Sequence, residues 1–141
     1  MQADHILNTA VRALIIEKRP ADLPADLPII IAQDIAKTPR PYLLVFCNGG
    51  EFLHPKVRKT TLQLDLCTIV DETTATDAAL WHAAAAGVLA THVSRLYDLL
   101  LADGYKLMRL NLGEYSDEED PDERGHTHSQ AWAAILQTRP I

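Results

Sequence analysis

Cysteine, glycine and aromatic residues are all scarce in this chain of 141 residues, which has 2 cysteines, 6 glycines and 6% aromatic residues. Both cysteines, Cys47 and Cys67, fall in predicted strands, and two are too few for the disulfide framework of a small secreted domain. A chain of this length buries about 68–70% of its unfolded surface, enough for an apolar core without disulfides or metal. We therefore expect one domain over residues 1–141, folding in a reducing, intracellular setting.

Long apolar runs are also missing. Runs such as LPIIIA at residues 27–32 and YLLVF at residues 42–46 are far shorter than the roughly 20 residues that span a bilayer. Residues 1–20 have no basic leader ahead of their apolar part, so they do not resemble a secretory signal. We expect no membrane association.

Positive charge is in short supply, and the net charge of −6 is concentrated in one place. The segment EYSDEEDPDER, Glu114 to Arg124, has seven acidic residues and one arginine, whereas the remainder has 12 acidic and 12 basic residues. A general nucleic-acid-binding domain is expected to have a net basic face. We therefore predict no specific binding of DNA or RNA.

Catalytic motifs are missing as well, since the chain has no glycine-rich phosphate loop, paired-carboxylate motif or CxxC. Cys67 with His54 or His82 would make a thiol–imidazole pair, but a strand cysteine among leucines is usually a small buried apolar residue. We predict that the protein is not an enzyme and has no cofactor.

Two histidines, His126 and His128, share one face of the last predicted strand beside the acidic segment. With Asp120 or Asp122 they could ligate a metal. A ligand site needs specific geometry, and an exposed polar strand end is the simpler interpretation. We therefore predict no metal site here.

What is present is a regular alternation of strand and helix patterns that predicts an α+β fold. Its centre is the strand VRKTTLQLDLCTIV, which begins at Val57, followed by one helix from Asp77 to Ala102, capped by Thr76 and stopped at Gly104. The NGG turn signal and EFLHPK predict a hairpin loop longer than two residues before that strand. The expected order is a helix (residues 5–18, capped by Asp4), three strands (27–37, 41–48 and 57–70), the long helix and two strands (105–115 and 126–140), in one mainly antiparallel or mixed sheet covered by helices.

Side-chain periodicity predicts which residues face the core. In the central strand these are Thr60, Leu62, Leu64, Leu66 and Thr68. In the long helix they are Trp81, Ala85, Leu89, Val93, Leu96 and Leu100, and in the fourth strand Met108, Leu110 and Leu112. The helix also has apolar side chains beyond this face, namely Leu80, Val88, Leu99 and Leu101. This surplus predicts a second contact, with the first helix or with another subunit.

The acidic segment is predicted to be a loop, at about residues 114–125, at the tip of the closing hairpin. Charge runs are usually solvated and flexible, but long loops in compact domains are often functional. We keep both interpretations, and the functional one makes the segment a partner-binding or lumen-facing surface: Glu114, Asp117, Glu118, Glu119, Asp120, Asp122 and Glu123. In a ring, a basic cluster on the neighbouring subunit would face it: Lys56, Arg58 and Lys59.

The order and length of the elements resemble the tail terminator (tail completion) proteins of long-tailed bacteriophages and gene-transfer-agent-like particles. The resemblance covers nearly the whole chain, and the acidic insertion departs from it. The segments that carry it are DHILNTAVRALII, PYLLVFCNGGEF, VRKTTLQLDLCTIV, WHAAAAGVLATHVSRLYDLL, YKLMRLNLGEY and HSQAWAAILQ.

This resemblance implies a structural virion protein located in the tail, and in the host cytoplasm during assembly. It implies a hexameric ring that caps the tail tube, ends tube polymerisation and joins the tail to the head connector. The implied partners are further copies of the chain, the tail tube protein and the head–tail connector protein, with DNA passing through unbound. The alternatives are another connector, neck or tail adaptor ring protein, or a monomeric small-molecule or metal-binding domain.

Overall fold

One mixed sheet of five strands, packed against α-helices, organises residues 2–120 and 124–139, the part of the chain that the computed structural model describes. The strand order is β1-β2-β3-β5-β4, and the β1–β2 pair is parallel while the other pairs are antiparallel. The predicted α+β class is confirmed. In chain order the elements are α1 (Gln2–Glu17), β1 (Ile29–Ile31), a 3-10 helix (Ala32–Lys37), β2 (Tyr42–His54), β3 (Val57–Ile69), α2 (Ala75–Thr91), α3 (Val93–Ala102), β4 (Tyr105–Asp120) and β5 (Gly125–Thr138).

Strand β3 lies at the centre of the sheet, and its alternating pattern has the predicted consequence. The leucines on its helix-facing side are fully buried, at 0% exposure, and the two threonines at the ends of that row are buried as well. The Thr60 hydroxyl donates to the Gly49 carbonyl (2.9 Å) and the Thr68 hydroxyl to the His126 carbonyl (3.3 Å), so neither polar group is left without a partner. The three leucines on the helix-facing side of β3 are Leu62, Leu64 and Leu66.

The predicted continuous helix from Asp77 to Ala102 is wrong, because the chain breaks at His92 into α2 and α3. His92 has φ −116° and ψ 30°, which is outside the helical region. Beyond the break, Leu96 and Leu100 of α3 are buried as predicted, whereas Val93, the first residue of α3, is 39% exposed. Of the predicted core face, Ala85 and Leu89 are also buried, and Trp81 only partly.

The ends of the helices also differ from prediction. The side chain of Thr74, not Thr76, caps α2 by accepting a hydrogen bond from the Asp77 amide (3.1 Å). Asp4 lies within the first turn of α1 rather than capping it. Gly104 follows α3 with φ +86°, a conformation that suits glycine, so the predicted helix stop is confirmed.

The β2–β3 hairpin is longer and tighter than predicted. Strand β2 continues through Asn48–Gly50 as a bulge, with Gly49 at φ +75°, because glycine tolerates the positive φ that the bulge requires. His54 pairs with Val57, so a turn of two residues closes the hairpin and the predicted longer loop is wrong. The first predicted strand is shortened to β1 because residues 32–37 turn into the 3-10 helix.

Two register shifts in β4 make the predicted inward face of that strand wrong for Met108, while Leu110 and Leu112 keep the predicted orientation. The shifts lie between Leu107 and Arg109 and between Leu112 and Tyr115. A bulge places an unpaired residue in the strand and inverts the alternation that follows. Leu107, Leu110 and Leu112 lie opposite Leu136, Ala134 and Trp132 and therefore share the core-facing side of the sheet. Leu107 is buried and Leu110 partly buried there, whereas Leu112 is 66% exposed at the open edge. Met108 falls within the first shift and is 52% exposed.

No helix within the described ranges is long and apolar enough to cross a bilayer.

Candidate functional site

The acidic segment is not the predicted loop, because β4 continues through Glu114 to Asp120 and pairs with β5 as far as Gly125. The reason is that β5 extends equally far and supplies a full ladder of backbone partners. Four acidic side chains on this stretch are exposed: Glu114, Asp117, Glu118 and Glu119. Asp122 and Glu123 lie outside the described residues. Asp120 belongs to the strand, and its side chain is outside the description.

Strand β4 forms one edge of the sheet, with β5 on one side and no strand on the other among the described residues. Its 16 residues make it the longest strand. An edge strand presents unpaired backbone N–H and C=O groups, and a long exposed edge is a template for pairing with another chain. The edge is therefore a surface on which a partner can add.

Apolar side chains accompany this edge. Two grooves run between β4 and the helices, one bordered by α3 and the other by α2. We call the apolar side chains that border them the β4 surface: Val93, Met108, Leu110 and Leu112. Of the predicted surplus on the long helix, Val88 is buried in the core, Leu80 is 50% exposed, and Leu99 and Leu101 are partly buried.

The predicted basic cluster loses its central member. The Arg58 guanidinium makes two hydrogen bonds to the Asp4 carboxylate, Nε to Oδ1 at 2.8 Å and Nη2 to Oδ2 at 3.0 Å, and lies 5.2 Å from the centre of the Phe52 ring. With 12% of its side chain exposed, Arg58 ties α1 to the sheet and is not available to another subunit. Lys56 and Lys59 are exposed near the hairpin turn.

His126 and His128 converge with Asp117. The side chains of the predicted acidic partners, Asp120 and Asp122, lie outside the described part of the chain. Asp117 lies directly opposite His128 in the β4–β5 ladder, and one donor atom from each of the three side chains falls within 4.8 Å of the others. The His126 and His128 rings are 4.7 Å apart, and Asp117 Oδ1 is 3.9 Å from His126 Nε2. His128 is 3% exposed, so the predicted exposed strand end is wrong for this residue.

Tyr115 and His82 extend this cluster towards α2. The Tyr115 hydroxyl is 2.5 Å from His128 Nδ1, and the Tyr115 ring makes an edge contact with the His82 ring at 5.4 Å between centroids. His82 is 1% exposed and its Nε2 lies 3.1 Å from the Leu64 carbonyl, to which it donates. From the sequence, His82 was considered only as a partner of Cys67, although its helical spacing from Ala85 and Leu89 indicates the buried face.

The pKa of His82 lies below its ordinary value of 6.5 because burial disfavours the charged imidazolium. The unfolded chain therefore binds this proton more readily. The stability that neutral His82 contributes is fully present above pH 6.5 and is lost as the pH falls through the lowered folded-state pKa.

We expect the free energy of unfolding to fall as the pH is lowered below about 6.5, with a slope from this group of at most about 1.4 kcal/mol per pH unit. Urea unfolding between pH 7.5 and 5, with chelator present, measures it. His82→Gln should flatten the dependence, whereas His54→Gln, at an exposed histidine, should not. Parallel curves for wild type and His82→Gln would contradict this role.

The cysteines offer no nucleophile. Cys47 donates to Asn8 Oδ1 (3.2 Å), and burial raises the pKa of its thiol to about 12. Cys67 is 5% exposed, which confirms the interpretation as a small buried apolar residue. Because the thiolate is the reactive form, neither thiol is activated for catalysis.

A scan of the sequence against protein-family models finds no match, and a search of curated proteins finds none either.

Proposed function

We propose that this protein is a structural component of a phage-like particle: a ring that caps the tail tube, ends its polymerisation and joins the tail to the head connector. The observation that carries the proposal is the uncovered β4 edge, together with the β4 surface. Exposed backbone groups and exposed apolar side chains lie side by side there. This combination marks a protein–protein contact rather than a catalytic site.

The partner at this edge is a second copy of the chain. The sheet has another open edge on its opposite side, because β1 pairs with only Leu43–Val45 of β2 and leaves residues 46–54 without a neighbouring strand there among the described residues. One copy can therefore place its β4 edge against the β2 edge of the next. A contact between two different surfaces of identical chains is head-to-tail, and it produces a ring when the rotation closes.

Charge supports the same pairing. The acidic half of β4 is exposed at one edge of the sheet, while exposed Lys56 lies in the hairpin turn that follows the open part of β2. Exposed Lys59 lies one strand further in, on β3 opposite Glu51. Opposite charges on the two surfaces favour the head-to-tail contact and disfavour contact between two β4 edges. The hexameric number follows from the resemblance in element order to tail terminator proteins.

In such a ring, acidic side chains that line the bore would repel passing DNA rather than bind it, which suits a conduit. The orientation of the acidic half towards the bore belongs to the proposal. Cross-linking from a photoreactive group at Glu118 to DNA or tube protein in assembled particles tests it. An acidic half of β4 found on the outer wall of the ring would contradict this orientation.

Light scattering and a tube-capping assay test the proposed function. We expect a mass near six times the 15.6 kDa of one chain at low salt, declining as salt screens the charged contacts. Added to polymerising tail tube protein, the protein should bind tube ends and shorten the tubes. A monomer at every salt concentration that also ignores tube ends would contradict the proposal. A ring that binds the connector but not the tube would favour the connector or neck alternative.

A further inference from the structure

Two buried ring nitrogens in the described part of the chain have no hydrogen-bond partner. They are Nε2 of His126 and Nε2 of His128. The nearest carboxylate oxygen of Asp117 is 3.9 Å from His126 Nε2, too far for a hydrogen bond. A buried polar atom without a partner costs free energy, and a bound ligand at each nitrogen would offset that cost.

The orientation of His128 is already set for binding a cation. Its Nδ1 lies 2.5 Å from the Tyr115 hydroxyl oxygen. In the tautomer in which Nδ1–H donates to that oxygen, the lone pair of Nε2 points away from Tyr115 and is free to bind a cation. Metal-binding histidines usually have their second ring nitrogen held by such a partner, which sets the tautomer and the ring angle. Tyr115 therefore has the position of a supporting residue.

The spacing of the three donors also fits. A zinc ion about 2.1 Å from each ligand of a tetrahedral site places neighbouring donors about 3.4 Å apart. The donor atoms here are within 4.8 Å of one another, and the Asp117–His126 pair is at 3.9 Å. Small rotations of exposed Asp117 and half-buried His126 would close the difference, since His128 is the member held in place.

We propose that Asp117, His126 and His128 bind one divalent transition-metal ion of the Zn²⁺ type. Two imidazoles and one carboxylate form a ligand set suited to such a metal, and they leave a fourth position for water or a partner's side chain. The ion would cross-link β4 to β5 in the acidic half of the edge. The inference stands on this geometry and is independent of the proposed ring.

Metal titration of the full chain, after chelator treatment and dialysis, tests the site. We expect isothermal titration with Zn²⁺ to show one ion per chain, and Co²⁺ to give the intense visible absorption of a tetrahedral site. Asp117→Asn and His126→Gln should each weaken binding by about 100-fold or more, and Tyr115→Phe by about tenfold. Zn²⁺ should raise the melting temperature of wild type but not of Asp117→Asn.

Two other substitutions in the same chain serve as matched controls. Glu118→Gln removes the neighbouring carboxylate of β4, which belongs to the opposite face of the strand, and His54→Gln removes an exposed histidine at the other end of the sheet. Both should bind the metal as wild type does. Asp117 is exposed and outside the core, so its variant should keep the wild-type circular dichroism spectrum. Equal affinity of wild type, Asp117→Asn and His126→Gln, or no binding by folded wild type, would overturn the site.

Discussion

In the proposed ring, replacement of Leu112 by aspartate is expected to reduce the assembly to single chains of 15.6 kDa without unfolding them. Leu112 is 66% exposed on the edge strand and borders the groove under α2. In a head-to-tail ring its side chain would be covered by the next copy. A buried carboxylate without a partner costs several kcal/mol at each contact, which is enough to dissociate a ring of modest affinity.

The measurement is mass by light scattering at low salt, with circular dichroism as the check on folding. Val70→Asp is the matched control, because it adds the same charge at a side chain 51% exposed in the turn after β3, away from the β4 surface. We expect it to assemble as wild type does. If Leu112→Asp keeps the wild-type mass, the β4 surface is not the interface between copies.

Truncation of Leu64 to alanine is expected to lower the free energy of unfolding by about 3–4 kcal/mol. Leu64 is 0% exposed on the central strand, and its backbone carbonyl accepts the hydrogen bond from His82. The truncation leaves a cavity that the flanking strands restrict, so the lost apolar transfer and the empty volume both count.

Urea unfolding measures this change best in the Leu112→Asp background, because assembly would otherwise add its own concentration-dependent stabilisation. Leu80→Ala is the matched control. Leu80 is 50% exposed on α2, and we expect its loss to change stability by about 0.5 kcal/mol or less. Equal effects of the two substitutions would mean that β3 is not the centre of the core.

Local sequence patterns were sufficient to predict an element and its buried side where one periodic face of that element packs into the core of the same chain. The alternation of β3 identified a row of five buried side chains, from Thr60 to Thr68, all of which the structure places in the interior. The same kind of pattern predicted the strand β5 and the helix α1. In these elements hydrophobic burial and local backbone preference favour the same structure. A short segment of sequence is therefore enough to predict the element.

Patterns failed where a distant strand or a bulge decided the outcome. Glu114 to Asp120 have the composition of a solvated loop, yet they form a strand because β5 offers backbone partners along its full length. Met108 alternates with Leu110 and Leu112 as a core residue would, yet it falls within a register shift of β4 and is 52% exposed. Neither the ladder nor the bulges can be seen within a window of ten residues.

The candidate sites divide in the same way. Sequence alone determined the α+β class, the concentration of negative charge in one segment and the pairing of His126 with His128 on one strand face. Only the tertiary structure decided that Asp117 joins those histidines, that Tyr115 orients one of them, and that Arg58 is bound by Asp4. The physical reason is that residue type and spacing are properties of the chain, whereas strand register and side-chain convergence depend on contacts between elements far apart in sequence.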